Sequence, residues 1–477
     1  MAGIDRFVAT DEGALTAGQV RRRAEGVARS LEASGVPEGA VVCLVVPNGL
    51  ELLPALLGLA LRSCVAALTS PKLGAQGWSD ILTRIAPAAL LSTADLAPTL
   101  SQRAHVEPAR AEWRADDGPF RVFRPVDRSL ASGVPNEGVV LKFSSGSTGL
   151  VKGICLSVRN LLAEADTIVA GLDAGPGTRI IAPVPLFHSY GFDLGALAAI
   201  VSGARLHVSD GFVPRRTLRL LDDPAPAAFL GVPVMYRVLL EGNGAPLPPH
   251  RLISCTAPLD ARTIVQFTER FGQPICQHYG ASEVGGVTLQ TPDDVLAHPD
   301  SVGRPMRNVS VRVVDPAGRT LGPCEAGEVV VRSGAVALGY VMGGPPGRSP
   351  LAGDSYAMGD LGVLDREGFL TVQGRLDDLI NVGGFKVSPA EVRRVLDGHP
   401  SVRESAVTGH RDGRGEVTVY AMVSLRAPAT EIELIRYCQE LLAEYKVPRR
   451  IDVRAELPRG PSGKVVLTAE GLDHGPR

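Results

Sequence analysis

Cysteine pairs, an excess of charge and long apolar runs are all missing from this chain, and each absence closes off a class of protein. The seven cysteines, at positions 43, 64, 155, 255, 276, 324 and 438, are scattered without a CxxC pair. That spacing gives neither a zinc site nor a disulfide framework, and it fits a reducing compartment. Basic and acidic residues nearly cancel, 49 against 51. No lysine–arginine cluster with interleaved aromatics stands out, so nucleic acid is not an expected partner. The most apolar stretch, Leu52–Leu61, is bounded by Glu51 and Arg62. It falls well short of the about 20 residues that cross a bilayer, and a buried helix accounts for it. The first residues, Met1 to Arg6, lack a basic segment followed by an apolar core, so no signal peptide is expected. The expectation is a cytoplasmic protein without a membrane partner.

What is present is a chain of 477 residues, 45% of them hydrophobic. That is too long for one core and predicts two or more domains. Val20, Val27 and Leu31 share one face of a helix predicted over 17–34. The run 41–46 is wholly apolar, as a buried parallel strand is. A helix over 52–61 and a strand at 65–68 follow, and alternation continues through 179–184, 195–201 and 205–208. This predicts an α/β body with parallel sheets. From Val309 closely spaced strands take over, at 310–314, 328–331 and 368–373. Past Gly374, helices over 389–396 and 431–444 alternate with strands at 404–408 and 417–423. A boundary at 375 gives a large domain, residues 1–375, and a smaller one, residues 376–477, of ordinary size.

The most telling stretch is Leu141-Lys142-Phe143-Ser144-Ser145-Gly146-Ser147-Thr148-Gly149-Leu150-Val151-Lys152-Gly153. From Ser144 to Gly153 it holds three glycines, four hydroxyl side chains and one lysine, at the end of the run Val139 to Phe143. Glycines let the backbone turn tightly and aim successive N–H groups at one anion. Hydroxyls add donors and the lysine adds positive charge, which together suit a polyphosphate. A polar surface turn has a similar composition. Lys152 precedes Gly153 rather than Ser or Thr, so this is not a Walker A loop. Gly146-Ser147-Thr148-Gly149 does not fit a nucleophile elbow either.

Further segments follow: Pro185-Leu186-Phe187-His188-Ser189-Tyr190-Gly191, His278-Tyr279-Gly280-Ala281-Ser282-Glu283, Gly359-Asp360-Leu361-Gly362, Gly374-Arg375-Leu376-Asp377-Asp378, and Leu457-Pro458-Arg459-Gly460-Pro461-Ser462-Gly463-Lys464. In this order they resemble the adenylate-forming, AMP-binding superfamily, and most of all its acyl- and aryl-CoA synthetases. The resemblance runs from about residue 10 to residue 470. It implies a large N-terminal body of parallel-sheet α/β subdomains with a β-barrel-like subdomain, and a small mobile α+β C-terminal domain. It also implies a two-step reaction. A carboxylate attacks the α-phosphate of ATP, giving an acyl-adenylate and pyrophosphate, and a thiol then displaces AMP. ATP and Mg²⁺ are the implied cofactors, with CoA or the phosphopantetheine of a carrier protein supplied in trans as acceptor. A monomer or homodimer is expected. Such catalysis is largely positioning and charge neutralisation, and accordingly no catalytic triad signature is present.

The resemblance assigns roles residue by residue. Ser144, Ser145, Gly146, Ser147, Thr148, Gly149 and Lys152 would wrap the β- and γ-phosphates, with Val151 where proline is usual. Ala257, Pro258, His278, Tyr279, Gly280 and Ser282 would line the nucleotide site, with Tyr279 stacked on adenine. Glu283 would hold Mg²⁺, a hard cation that prefers oxygen. Asp360 would accept both ribose hydroxyls, and Arg375 would contact phosphate and ribose. Asp377 would be the hinge between two domain orientations. Lys464 would bridge the substrate carboxylate and the α-phosphate as charge develops. The catalytic set is then Lys464, Thr148, His188, Glu283 and Arg375. Taken singly, each has a plainer reading: a turn at Tyr279, a solvated Glu283, a salt bridge at Arg375, an exposed lysine at Lys464. Gly383 and Gly384 resemble the loop that swings in for thioester formation, where glycines let backbone pass close to pantetheine.

His188 would sit beside the carboxylate and the thiol channel. Relatives that activate amino acids carry an aspartate early in this segment. Counting back from Gly203 puts Gly191 in that place and Asp193 slightly late, which disfavours an α-amino acid and leaves Asp193 for another polar group. Phe229, Gly231, Ala257, Gly280 and Gly285 are small or apolar expected walls, suited to an aryl or medium-length aliphatic acid. Cys255 and Thr256 are bulkier than the Gly-rich family pattern there. The expected activity joins ATP, a non-amino carboxylic acid and CoA into acyl-CoA, AMP and pyrophosphate. The alternatives are a stand-alone ligase that loads a carrier protein, and a nucleotide-binding module without catalysis. The presence of Lys464, Glu283 and Arg375 speaks against the second.

Overall fold

Apolar runs without alternation need cover on both faces, and they find it here. A computed structural model describes residues 6–93, 96, 100, 106–108, 119–125, 133–145, 151–242, 244–344, 351–382, 385–411 and 416–458. Val41–Val45 is buried along its whole length and pairs in parallel with Val65–Leu68 and Ala89–Thr93. It lies inside an eight-stranded sheet in the order 339–342, 151–157, 138–145, 65–68, 41–45, 89–93, 120–125, 106–108. A nine-stranded sheet runs 304–305, 285–289, 275–281, 251–254, 227–231, 179–182, 205–208, 6–9, 14–16. One apolar core joins them, with Val42, Leu44 and Ala66 from the first sheet and Ile180, Leu206 and Leu230 from the second.

Two of the long helices start where side chains satisfy the free N–H groups of a first turn. Thr16 caps Ala17–Ala33 in a reciprocal pairing with Gln19, and Ser157 does the same for Val158–Leu172 with Asn160. The first helix buries Val20, Ala24, Val27 and Leu31. Its neighbour is Leu52–Leu61, and the two meet at Gly58, where a Cβ would come 2.5 Å from Val27. Among the described residues no helix is long and apolar enough to cross a membrane.

The chain divides into two compact units. The first comprises 1–259, 263–311 and 330–356, and the second 260–262, 312–329 and 357–477. In the second, Leu370–Arg375 pairs antiparallel with residues 360–364 of the preceding strand. A three-stranded sheet, 402–411, 417–425 and 450–454, packs with Pro389–Gly398 and Glu431–Leu441 around Val392, Leu396, Val419, Val423 and Leu434. The last helix stops at Leu441 rather than at 444, where a separate turn, Glu444–Lys446, begins.

Gly58→Ala forces Val27 aside. Overpacking of this kind costs about 1–3 kcal/mol, against the roughly 1 kcal/mol that alanine gains over glycine in a helix. The expected result is a lower urea midpoint at unchanged m-value.

Candidate active site

The strands Gly138–Ser145 and Val151–Ser157 form an antiparallel hairpin with Ser144 opposite Lys152. The two strands therefore close the ends of the phosphate-type loop onto one another. Gly146, Ser147, Thr148 and Gly149 lie outside the described residues, as does the Ser145 side chain. The neighbouring strand Gly339–Met342 pairs on Val151–Ser157, with Tyr340 opposite Ile154. That pairing sets the Tyr340 ring 5.9 Å beneath the Lys152 ammonium, a cation–π contact. The same Tyr340 donates its hydroxyl proton to Glu283 Oε1 at 2.9 Å. A chain Lys152–Tyr340–Glu283 thus joins the cation of the phosphate hairpin to the carboxylate expected to hold metal. Burial and the Glu283 charge push the Tyr340 hydroxyl well above the ordinary tyrosine value, so it remains a donor. Tyr340 carries no motif in the sequence, and its place comes only from strand pairing.

Glu283 is buried and fits a metal as a single hard oxygen ligand. Among the described residues no three His, Cys, Asp or Glu side chains gather as a metal cage.

The segment after the strand Arg179–Ala182 is held from outside by Asn48. Its amide donates to the Val184 carbonyl at 2.8 Å and its carbonyl accepts the Leu186 N–H at 2.8 Å. His188, exposed, stands just before a short helical turn, Ser189–Gly191, which continues as π-helix over Phe192–Leu197. Such segments recur at functional sites. Ser189 donates to Ser282 Oγ at 2.6 Å, bringing the His188 turn onto the residue before Glu283. Gly191 is required by its own backbone, since a Cβ there would lie 2.3 Å from the Pro185 carbonyl oxygen.

Tyr279 is half-buried at the end of Ile275–Ala281, while its neighbour His278 points into the protein. His278 Nδ1–H donates to the Thr288 carbonyl at 3.0 Å, and its ring stacks at 6.3 Å on Tyr190. Burial pushes its pKa from the ordinary 6.5 down to about 4, so it is a neutral support beneath Tyr279. Ala257 and Pro258 are exposed. They follow Thr256, which takes a left-handed φ of +75° that a β-branched residue adopts only under strain.

The residues expected to wall the acid are largely filled by the protein itself. Phe229 is fully buried, with its ring edge-on to Tyr236 at 5.7 Å, and Gly231 abuts that tyrosine ring. Gly280 faces the Gly285 carbonyl across the hairpin. Gly285, at φ +73°, has no room for a Cβ because Glu164 Oε2 would be 1.8 Å away. Asp193 has a protein group as its partner, Lys142, whose ammonium donates to both carboxylate oxygens at 2.6 and 2.8 Å. The two side chains are 2% and 4% exposed. Lys142 sits between Leu141 and Phe143 on its strand, and removing either partner of such a pair costs about 3–5 kcal/mol.

In the second unit Asp360 stands opposite Arg375, and Arg375 Nη1 donates to Asp360 Oδ1 at 3.1 Å and to the Met358 carbonyl at 3.0 Å. Asp360 is buried and Arg375 half-exposed at the end of its strand. Asp377 is exposed just beyond. Gly383, Gly384 and Lys464 lie outside the described residues.

The depressed His278 pKa makes stability depend on pH. Between the unfolded value of 6.5 and the folded value of about 4, the unfolded chain binds a proton that the folded chain refuses. Stability contributed above pH 6.5 is therefore lost as pH falls towards 4, on the order of 3 kcal/mol in total. Urea midpoints measured across this range should fall less steeply in His278→Gln.

The chain is similar to known proteins along nearly its whole length. Residues 3–341 match the AMP-binding enzyme model and residues 391–464 the AMP-binding enzyme C-terminal domain. A feruloyl-CoA synthase from Amycolatopsis sp is 30% identical over 467 residues, covering 95% of this chain and 92% of the relative. A 2-succinylbenzoate–CoA ligase from Geobacillus kaustophilus is 30% identical over 450 residues, covering 92% and 89%. The ATP-bound structure of MatB from Rhodopseudomonas palustris superposes with a TM-score of 0.83 at 25% identity, covering 96% of this chain and 93% of that one. With the phosphate hairpin, the buried Glu283 and both domain matches in place, the chain belongs to the AMP-binding, adenylate-forming enzymes.

Proposed function

We propose that this protein is an AMP-forming acid–thiol ligase that activates a non-α-amino carboxylic acid with ATP and transfers the acyl group to CoA. The observation that carries the reading is the Lys152–Tyr340–Glu283 chain beside the Ser189–Ser282 contact. It gathers a cation, a metal-type carboxylate and the acid-side helical turn at one place. Relatives named for CoA thioesters support CoA as the acceptor. A carrier-protein phosphopantetheine is the alternative thiol.

In the first step a substrate carboxylate oxygen forms a bond to the α-phosphorus of ATP, and the bond to the β-phosphate oxygen breaks to release pyrophosphate. Ser144 and Lys152 stand at the two ends of the loop that would hold the departing phosphates. Mg²⁺ at Glu283 would supply charge neutralisation on those phosphates. Tyr279 offers a half-buried ring face for adenine, with Ala257 and Pro258 at the rim. Asp360, oriented by Arg375, offers a carboxylate to ribose hydroxyls. Lys464 would neutralise charge between carboxylate and α-phosphate. In the second step the thiolate sulfur bonds to the acyl carbon and AMP leaves with the ester oxygen. His188 and the Gly383–Gly384 loop are the proposed thiol-side elements, with Asp377 as hinge. The acceptor is checked by thioester formation with CoA and purified protein alone.

Carboxylate-dependent ATP–pyrophosphate exchange across aryl, fatty, short-chain and amino acids tests the reading. Exchange with one class of acid, lost by about 10²–10³-fold in Lys464→Ala, is the expected result. Measurable ATP binding with no exchange for any acid would favour a non-catalytic binding module. Tyr340→Phe keeps the ring under Lys152 but removes the hydroxyl from Glu283. A hydrogen bond to a buried charge is worth about 1.5–3 kcal/mol, so exchange should slow about 10–100-fold at unchanged fold by circular dichroism.

A further inference from the structure

We propose that the buried Lys142–Asp193–Glu164 cluster is a positioning unit for adenylation, holding the phosphate hairpin, the His188 turn and the Glu283 hairpin in one arrangement. The proposal rests on the ligase reading. Its three members come from three elements, two of them a short step along the chain from a part of the site and the third hydrogen-bonded to another part. Lys142 precedes Ser144 by two residues on the strand that enters the phosphate loop. Asp193 follows His188 by five residues in the π-helical segment. Glu164, on Val158–Leu172, accepts the N–H of Gly286 at 2.8 Å, three residues beyond Glu283.

The Lys142–Asp193 pair is of the kind that fixes distance. Lys142 meets both Asp193 oxygens at 2.6 and 2.8 Å, with the Phe192 ring 5.4 Å from the ammonium. Charge-assisted bonds hold a separation to a few tenths of an ångström, whereas apolar contacts let elements slide and repack. Glu164 Oε2 is enclosed without a hydrogen-bond partner, in space that exists only because residue 285 is glycine. One ammonium thus faces two carboxyl groups in a dry pocket. Burial and the Asp193 charge hold Glu164 above the usual carboxylate range, opposed by Lys142 and the Gly286 N–H. Glu164 is thus a buried acceptor wedged between its helix and the Glu283 hairpin. The same helix reaches further: Asn160 donates to the Gly334 and Val336 carbonyls at 3.0 and 2.8 Å, just ahead of Tyr340. Apolar side chains would fill this volume, but they would not set the separations that a reaction in line at phosphorus requires.

The test compares ATP–pyrophosphate exchange and thermal midpoint in three variants of the full chain: Glu164→Gln, Glu164→Leu, and the charge-free double variant Lys142→Met/Asp193→Leu. Glu164→Gln keeps an acceptor for Gly286 and should retain wild-type kcat and midpoint. Glu164→Leu and the double variant should keep a midpoint near wild type while kcat falls about 10–100-fold, more than any change in KM for ATP. Wild-type kcat in either of these folded variants would overturn the proposal, as would a slow Glu164→Gln. If neither Glu164→Leu nor the double variant folds, the cluster is part of the fold rather than a separable positioning unit, and the proposal also fails. Absence of exchange in the wild-type protein with every acid would instead sink the ligase reading.

Discussion

Between the strand that enters the phosphate loop and the helical turn after His188, the Lys142 ammonium meets both oxygens of Asp193 almost out of reach of water. A buried ammonium without a partner is too costly to persist. The strand and the π-helical segment must therefore stay where the pair closes, and the Glu164 helix and the Glu283 hairpin pack against that arrangement. The first unit's site is built around this constraint. Ser189 reaches Ser282, Tyr340 reaches Glu283, and Lys152 lies over Tyr340. Each contact crosses between segments far apart in sequence.

The same packing bears on the acid. Small residues in a sequence invite the reading of an open pocket, yet here the volume beside Gly231 belongs to Tyr236, that beside Gly285 to Glu164, and that beside Gly191 to the Pro185 carbonyl. Tyr190 spends its hydroxyl on the Gly231 and Ile253 carbonyls at 3.2 Å each. Glycine in this region mostly marks close approach of protein to protein. The open face of the site is instead His188, Ala257 and Pro258, with Tyr279 to Ser282 half-exposed.

Much of the scaffold was legible because it is local. Runs such as Val41–Val45 and the face of Val20, Val27 and Leu31 carry their own periodicity, and caps such as Thr16 with Gln19 lie within one turn. The ends of elements were less legible. The last helix ends at Leu441, where Leu442 turns to extended backbone, and the chain then runs to the strand Arg450–Arg454. In the site, the Asp360–Arg375 pair was half visible. Both residues stood out in sequence, but antiparallel register is what sets one opposite the other.

The sequence by itself determined the chemistry on offer. Glycines, hydroxyls and a lysine of the kind that suits a polyphosphate are contiguous, so their meaning survives without a fold, and the order of the later motifs placed the chain among adenylate-forming enzymes. Only the tertiary structure decided which polar groups face each other. Nothing in the sequence marked Lys142, Glu164 or Tyr340 for the site, and Asp193 stood out only as open to some polar group. Sheet order brings residues 142 and 193, 164 and 286, and 283 and 340 within hydrogen-bond distance. Contacts across such separations leave no periodic trace in sequence, because they are fixed by which strands pair and not by what lies next along the chain.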